Sequence, residues 1–260
     1  MRSVLTTLAA VALFAAPLSA QTADSIIARY LRTVGGMEHI QAVHSLRRTG
    51  RLTGGGGFEA AFVLESKRPN QLRQEFSLMG MTAVTAYDGH TGWKIEPWSG
   101  NRDAQSLSED ELRGIVEDAD FDDPLVNYAQ KGHRVELVGM DQVEGTDVYK
   151  LRLTLASGDV RYYYLDTDYC MPIRIESKRT IRGSEQSFET VLGNYKAVDG
   201  WYQPFSIESR PTGGGEGSKV TFDRIEANVP IDDARFQRPA TGAAPARQPG
   251  APSPAGRTQP

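Results

Sequence analysis

The chain has 260 residues, 24% of them charged, and its 29 basic and 33 acidic side chains give a formal charge of −4 at pH 7. Residues 21–238 hold 26 of the basic and all 33 of the acidic groups, a balance of −7 that excludes a nucleic-acid binder, because holding phosphate takes a basic stripe. Cys170 is the only cysteine, so no intrachain disulfide can form, and about 210 residues bury an adequate core without one.

Met1-Arg2, an uncharged apolar run from Val4 to Ala16, and Pro17-Leu-Ser-Ala20 have the order of an export signal cleaved after Ala20. The run is too short to anchor in a bilayer, and no cysteine directly follows the cleavage point to take a lipid. The expected product is an exported, soluble periplasmic chain that is not an integral membrane protein.

Asp24 reads as the cap of a first helix, with Ile26, Ile27, Tyr30, Leu31 and Val34 on one face and Gly35-Gly36 as its stop. Residues 37–43 add another turn. Strands follow at 46–52, then a glycine link at 54–57. Phe58, Ala60, Phe62 and Leu64 alternate with Glu59, Ala61, Val63 and Glu65, the period of a half-buried strand. Residues 71–78 alternate again, with Leu72, Phe76 and Leu78 on one side. Residues 81–87, an Asp88-Gly89 turn and 93–95 continue the series.

Residues 106–132 break the strand rhythm. Ser108 is placed as an N-cap, and Glu111 three residues on completes a capping box. Leu112, Ile115, Val116 and Ala119 recur at i, i+3, i+4 and i+7 and line one helical face. Asp123-Pro124 restarts the pattern as cap and first helical residue, and Gly132 offers a left-handed stop. The pattern predicts two short amphipathic helices whose apolar faces must cover something.

Strands resume at 134–138, 149–155, 160–165, 172–182, 185–195, 202–210 and 218–227. The short turns between them make an antiparallel meander. The predicted fold class is α+β, mostly β: a curved antiparallel half-open barrel of about ten or eleven strands, with helices covering the concave face. Residues 239–260 hold 6 of the 14 prolines and no apolar side chain larger than alanine, the composition of a disordered Pro/Ala-rich tail.

The motifs carry no catalytic or cofactor chemistry. His39, His44, His90 and His133 are scattered, without metal-ligand spacing. Asp118-x-Asp120-x-Asp122 begins like a calcium loop but has Asp123 where glycine is needed and Ala129 at the twelfth position. Its acids read as a wet, helix-stabilising face or a dock for a basic partner. There is no G-x-S-x-G elbow and no histidine paired with Cys170. Glu65, Glu75, Glu176 and Glu208 alternate with Arg or Lys, which reads as cross-strand pairing on a solvent face. What remains is an apolar interior, either packed solid or hollow enough for an apolar ligand.

Several runs resemble the LolA-like outer-membrane lipoprotein-sorting superfamily, in its uncharacterised exported branch. They are Tyr87-Asp-Gly-His-Thr-Gly-Trp-Lys-Ile-Glu-Pro97 before the helical insert, Phe121-Asp-Asp-Pro-Leu-Val-Asn-Tyr128, Gly139-x5-Gly145, Tyr163-Tyr-Leu-Asp166 and Tyr195-x4-Gly200-x3-Pro204. The resemblance spans residues 24–238. It implies an unclosed curved sheet with a helical lid over a hydrophobic cavity, and a role in carrying lipoprotein acyl chains, accepting them or sensing envelope stress. It also implies a lid-locking arginine, for which Arg47, Arg48 and Arg51 are candidates by position. The expected function is a non-enzymatic periplasmic carrier or binder of lipid, with residues 106–132 as the lid. Phe62, Leu64, Phe76, Trp93, Leu112, Ile115, Val116, Leu153 and Tyr164 are the expected lining. The alternative is an envelope protein-interaction or stress-sensor module with a packed core.

Overall fold

Short links force neighbouring strands to run antiparallel, and here every link between consecutive strands is short except one. The computed structural model describes residues 21–181 and 184–240. Helices α1 (Ala23–Thr33) and α2 (Gly36–Ala42) lead into β1 (Ser45–Thr53), β2 (Glu59–Lys67), β3 (Gln71–Leu78), β4 (Met81–Tyr87), β5 (Gly92–Glu96) and β6 (Asn101–Ser106). Helix α3 (Glu109–Asp118) lies in the long link. Then come β7 (Arg134–Val143), β8 (Thr146–Thr154), β9 (Val160–Asp166), β10 (Pro172–Ile181), β11 (Ser184–Val198), β12 (Trp201–Pro211) and β13 (Ser218–Ala227).

The strands form one sheet in the order β6-β5-β4-β3-β2-β1-β13-β12-β11-β10-β9-β8-β7. It is two meanders sewn together where β1 pairs with β13. The seam carries a register shift at Thr49/Gly50, and a Cβ on Gly50 would lie 2.0 Å from the Thr221 carbonyl oxygen, so only glycine fits there. The sheet is curved and does not close. Its two edges, β6 and β7, are the strands that the α3 segment joins. Among the described residues thirteen strands stand where about ten or eleven were expected. β6 (Asn101–Ser106) escaped because Ala104 is its one apolar residue and it shows no alternation.

The helices differ from expectation in two places. Thr22, not Asp24, caps α1, its hydroxyl accepting from Ser25 N–H at 3.2 Å while Asp24 sits in the first turn. The capping box of Ser108 and Glu111 forms as expected and starts α3. The second helix of the insert does not form. Asp123 is left-handed at φ 71 and its carboxylate accepts from Leu125 N–H at 2.8 Å, and Asn127 is left-handed at φ 52. Each interrupts a helical ladder, so residues 121–132 run as consecutive turns that still bury Phe121, Leu125 and Val126.

The main core fills the concave side. Ile26, Ile27, Tyr30 and Val34 of α1, Ile40 of α2 and the 121–126 turns pack on Leu46, Phe62, Leu151, Leu153, Tyr163, Trp201, Phe205 and Phe222. A smaller cluster of Leu72, Tyr87, Ile115 and Ala119 seats α3.

The convex side is not simply solvent-exposed. Residues 229–238 cross it as a strap, with Phe236 fully buried and its carbonyl accepting from Trp93 Nε1 at 2.7 Å. The expected solvent-face pairing of Glu65 and Glu75 is corrected accordingly. Glu65 takes Arg47 at 2.8 Å and Arg235 at 2.6 Å, Glu75 takes Arg73 at 2.6 Å and Arg235 at 3.0 Å, and both carboxylates are buried beneath the strap. Glu176 and Glu208 do pair nearer the surface, with Arg174 at 3.3 Å and Lys219 at 3.8 Å.

Candidate functional site

Helix α3 spans the gap between the two arms of the open sheet. Its apolar residues Leu112, Ile115 and Ala119 settle on Leu72, Tyr87 and Leu64. Ion pairs hold it to opposite arms: Lys94 of β5 meets Glu111 at 2.6 Å, and Arg161 of β9 pairs with Glu117. Burial pushes the Glu117 carboxyl up despite Arg161. At Glu111 burial is outweighed by hydrogen bonds from Lys94 and Ser108, and the carboxyl falls below its ordinary value.

Between α3 and the concave face lies a cleft of about 710 Å³. Its floor is the paired row Gln74–Thr85–Lys94 with Glu96, and Lys178 and Asp159 face it from the far arm. From the insert come Leu107, Ser108, Asp110, Glu111, Arg113, Gly114, Ile115, Glu117 and Asp118. The lining is amphipathic and acidic, with three cations against six carboxylates.

The nine expected lining residues are distributed unevenly. Ile115 alone of them lines this cleft. Leu64 and Leu112 pack in the cluster beside it. Phe62 and Leu153 lie in the main core, Phe62 tilted against Phe222 at 6.2 Å. Phe76 stacks on Trp98 at 5.1 Å. Val116 is 43% exposed and borders a separate pocket of about 200 Å³ with Leu155 and His133. Trp93 and Tyr164 correct the expected facing: both stand on the convex side. Trp93 lies under the strap with Arg73 over its ring, and Tyr164 lies under Arg174 at 3.9 Å and Lys150 at 5.0 Å. The inward neighbour of Tyr164 is Tyr163, which is in the main core.

Of the three candidate lid-locking arginines, Arg47 pairs with Glu65 on the convex face, and Arg51 is exposed between Glu59 and Asp223. Only Arg48 faces the concave interior. It donates to neutral acceptors, Ser66 Oγ at 2.8 Å and Gln203 Oε1 at 3.0 Å, and burial lowers its pKa to about 10. These bonds run to β2 and β12, not to α3.

Among the described residues no group of three or more His, Cys, Asp or Glu is arranged to hold a metal ion. The aspartates of the calcium-like run are held by the chain's own cations, Asp120 by Lys131 at 2.6 Å and Asp122 by Arg68. No helix among the described residues is long and apolar enough to cross a membrane.

Comparison with solved structures bears on the fold. A DUF1329 family protein from Desulfovibrio piger aligns with a TM-score of 0.58 at 13% identity, over 82% of this chain and 96% of its own. A LolA superfamily protein from Nitrosomonas europaea aligns at 0.56 and 15% identity, over 84% and 98%. The fold is LolA-like. A domain assigned to outer-membrane lipoprotein sorting from Vibrio parahaemolyticus agrees, at 0.55 and 13% identity over 81% and 94%. No family model and no curated protein matches the chain in sequence. At these identities the LolA-like likeness speaks for architecture, and the chemistry of the site must come from the residues themselves.

Proposed function

We propose that this chain is a non-enzymatic periplasmic carrier or binder of lipid, with lipoprotein acyl chains as the ligand class. The observation that carries the reading is the cleft of about 710 Å³ beneath a helix that ties together the arms of an open LolA-like sheet. Acyl burial contributes about 0.8 kcal/mol per CH₂ without special polar chemistry. Leu107 and Ile115 supply apolar contact, while the charged rim suits a polar head left at the entrance. The apolar run at residues 4–16, which lies outside the described residues, supports export.

The test is mass spectrometry of lipid co-purified with the exported protein, followed by uptake of a fluorescent fatty acid. Stoichiometric lipid and saturable uptake are expected, and Ile115→Trp should weaken uptake about tenfold or more by filling the cleft. Clean protein without uptake would sink the carrier reading. It would favour an envelope protein-interaction or stress-sensor module, a reading supported by the main core, which α1, α2 and the 121–126 turns fill.

A further inference from the structure

Arg48 carries a charge that no neighbouring carboxylate balances. Arg47, Arg68, Arg73, Arg161, Arg174 and Arg235 are also partly or fully buried, and each meets a carboxylate. Among the described residues none pairs with Arg48, and burial is what lowers its pKa. Its partners are neutral and are themselves buried, Ser66 at 6% and Gln203 at 5% exposure. The Gln203 amide donates to the Tyr202 carbonyl at 3.3 Å, which turns Oε1 toward Arg48. These bonds use one proton on each terminal guanidinium nitrogen and leave the rest of the fork to donate, and the Ser66 hydroxyl keeps its own proton. A charge taken out of water without a counter-ion is costly, so this place suits a negative charge brought from outside.

The position of Arg48 points to the occupant. Arg48, Leu64, Gln74, Thr85 and Lys94 are direct partners from strand to strand and form one row across the concave face. Gln74, Thr85 and Lys94 are the floor of the cleft under α3. Arg48 lies two strands further in, roughly 10 Å beyond Gln74, past Leu64, which packs in the same cluster as Leu112 of α3. At about 4.8 Å per strand the whole row runs roughly 19 Å, the reach of a long acyl chain. We propose that the cleft takes a single-chain fatty acid head-first, with its carboxylate on Arg48 and Ser66 and its chain along the row beneath α3. A carboxylate matches the planar guanidinium fork bidentately. Its single charge balances a single arginine, whereas a phosphate monoester brings nearly twice as much. The cleft lining, with three cations against six carboxylates, repels an anionic head, while a head without net negative charge can stay at the rim. The inference rests on the lipid-binding reading and deepens it by naming an acid-headed ligand.

The test is equilibrium binding of radiolabelled palmitate, methyl palmitate and hexadecyl phosphate to the exported protein after delipidation on a hydrophobic resin. Palmitate should bind about tenfold tighter or more than its methyl ester, the worth of a charge-assisted hydrogen bond. Arg48→Met should abolish that preference, leave methyl palmitate binding where it was and not lower Tm, because the variant buries no charge. Arg48→Lys should keep part of the preference, since it retains the charge and loses the fork. Equal affinity of the wild type for palmitate and its ester would overturn the proposal, as would a preference that survives Arg48→Met. Hexadecyl phosphate binding tighter than palmitate would overturn the carboxylate assignment. In each of these cases the lipid-binding reading stands. Failure of all three ligands to bind would overturn that reading together with this one, so the two failures are distinct.

Discussion

Asp123 concentrates several residue-scale effects in one side chain. It adopts φ 71 where the chain would otherwise continue a helix, and its pKa is raised to about 6, chiefly because burial outweighs the hydrogen bond from Leu125 N–H. Within that balance Asp120 pushes it up and Lys131 and Arg161 pull it down, and Tyr30, Tyr163 and Tyr195 crowd the same interior. A carboxyl whose folded pKa lies above its unfolded value binds its proton more tightly in the native state. Its ionisation therefore costs stability as pH rises from about 4 through about 6. Asp123→Asn keeps an acceptor for Leu125 N–H, tolerates positive φ and removes the charge. The variant should match the wild type near pH 4 and exceed it by roughly 1–3 kcal/mol above pH 6 in urea unfolding. A difference that does not change with pH would show that Asp123 ionisation plays no part.

At the scale of elements, α3 holds its place by a cap, an apolar face and two ion pairs of different character. Lys94–Glu111 is partly exposed and of small worth. Glu117–Arg161 is 16% and 12% exposed, so losing one partner strands the other in a poorly solvated place. Ser108→Ala removes the hydroxyl that accepts from Glu111 N–H and should cost the helix about 1 kcal/mol. Hydrogen exchange should then quicken across residues 109–118 while α1 and the central strands keep their protection. Uniform quickening throughout the chain would mean that α3 unfolds only with the whole domain.

For the molecule as a whole, the strap at 229–238 makes the convex face a second interior. Phe236 is fully buried and its carbonyl holds the Trp93 indole, while Arg235 bridges Glu65 and Glu75. Phe236→Ala should destabilise the domain by about 3–5 kcal/mol. Loss of the strap contact should also red-shift the Trp93 fluorescence before global unfolding. A denaturation midpoint equal to the wild type would show that the strap does not contribute to the cooperative fold.

What the sequence determined by itself was most of the elements, all but β6 and the turns at residues 121–132, and their order. Period-two alternation in 58–65 and 71–78, glycine and aspartate at the turns, and the Ser108–Glu111 box are local signals, and local energetics set them. Short links then leave antiparallel pairing as the available topology. The tertiary structure decided which face of each strand meets which cover. A one-residue change of parity reverses a strand, and period two reveals the inner face only when the other face is wet. In β3–β5 both faces are covered, one by α3 and one by the strap, so Trp93 and Lys94 gave no local sign of their direction. Tyr162-Tyr163-Tyr164 is ambiguous for the same reason, with Tyr163 in the concave core and Tyr164 buried under Lys150 and Arg174. The acidic cleft, too, exists only because residues from β3, β4, β5, β10 and α3 meet across long chain separations, and no spacing along the chain encodes that meeting.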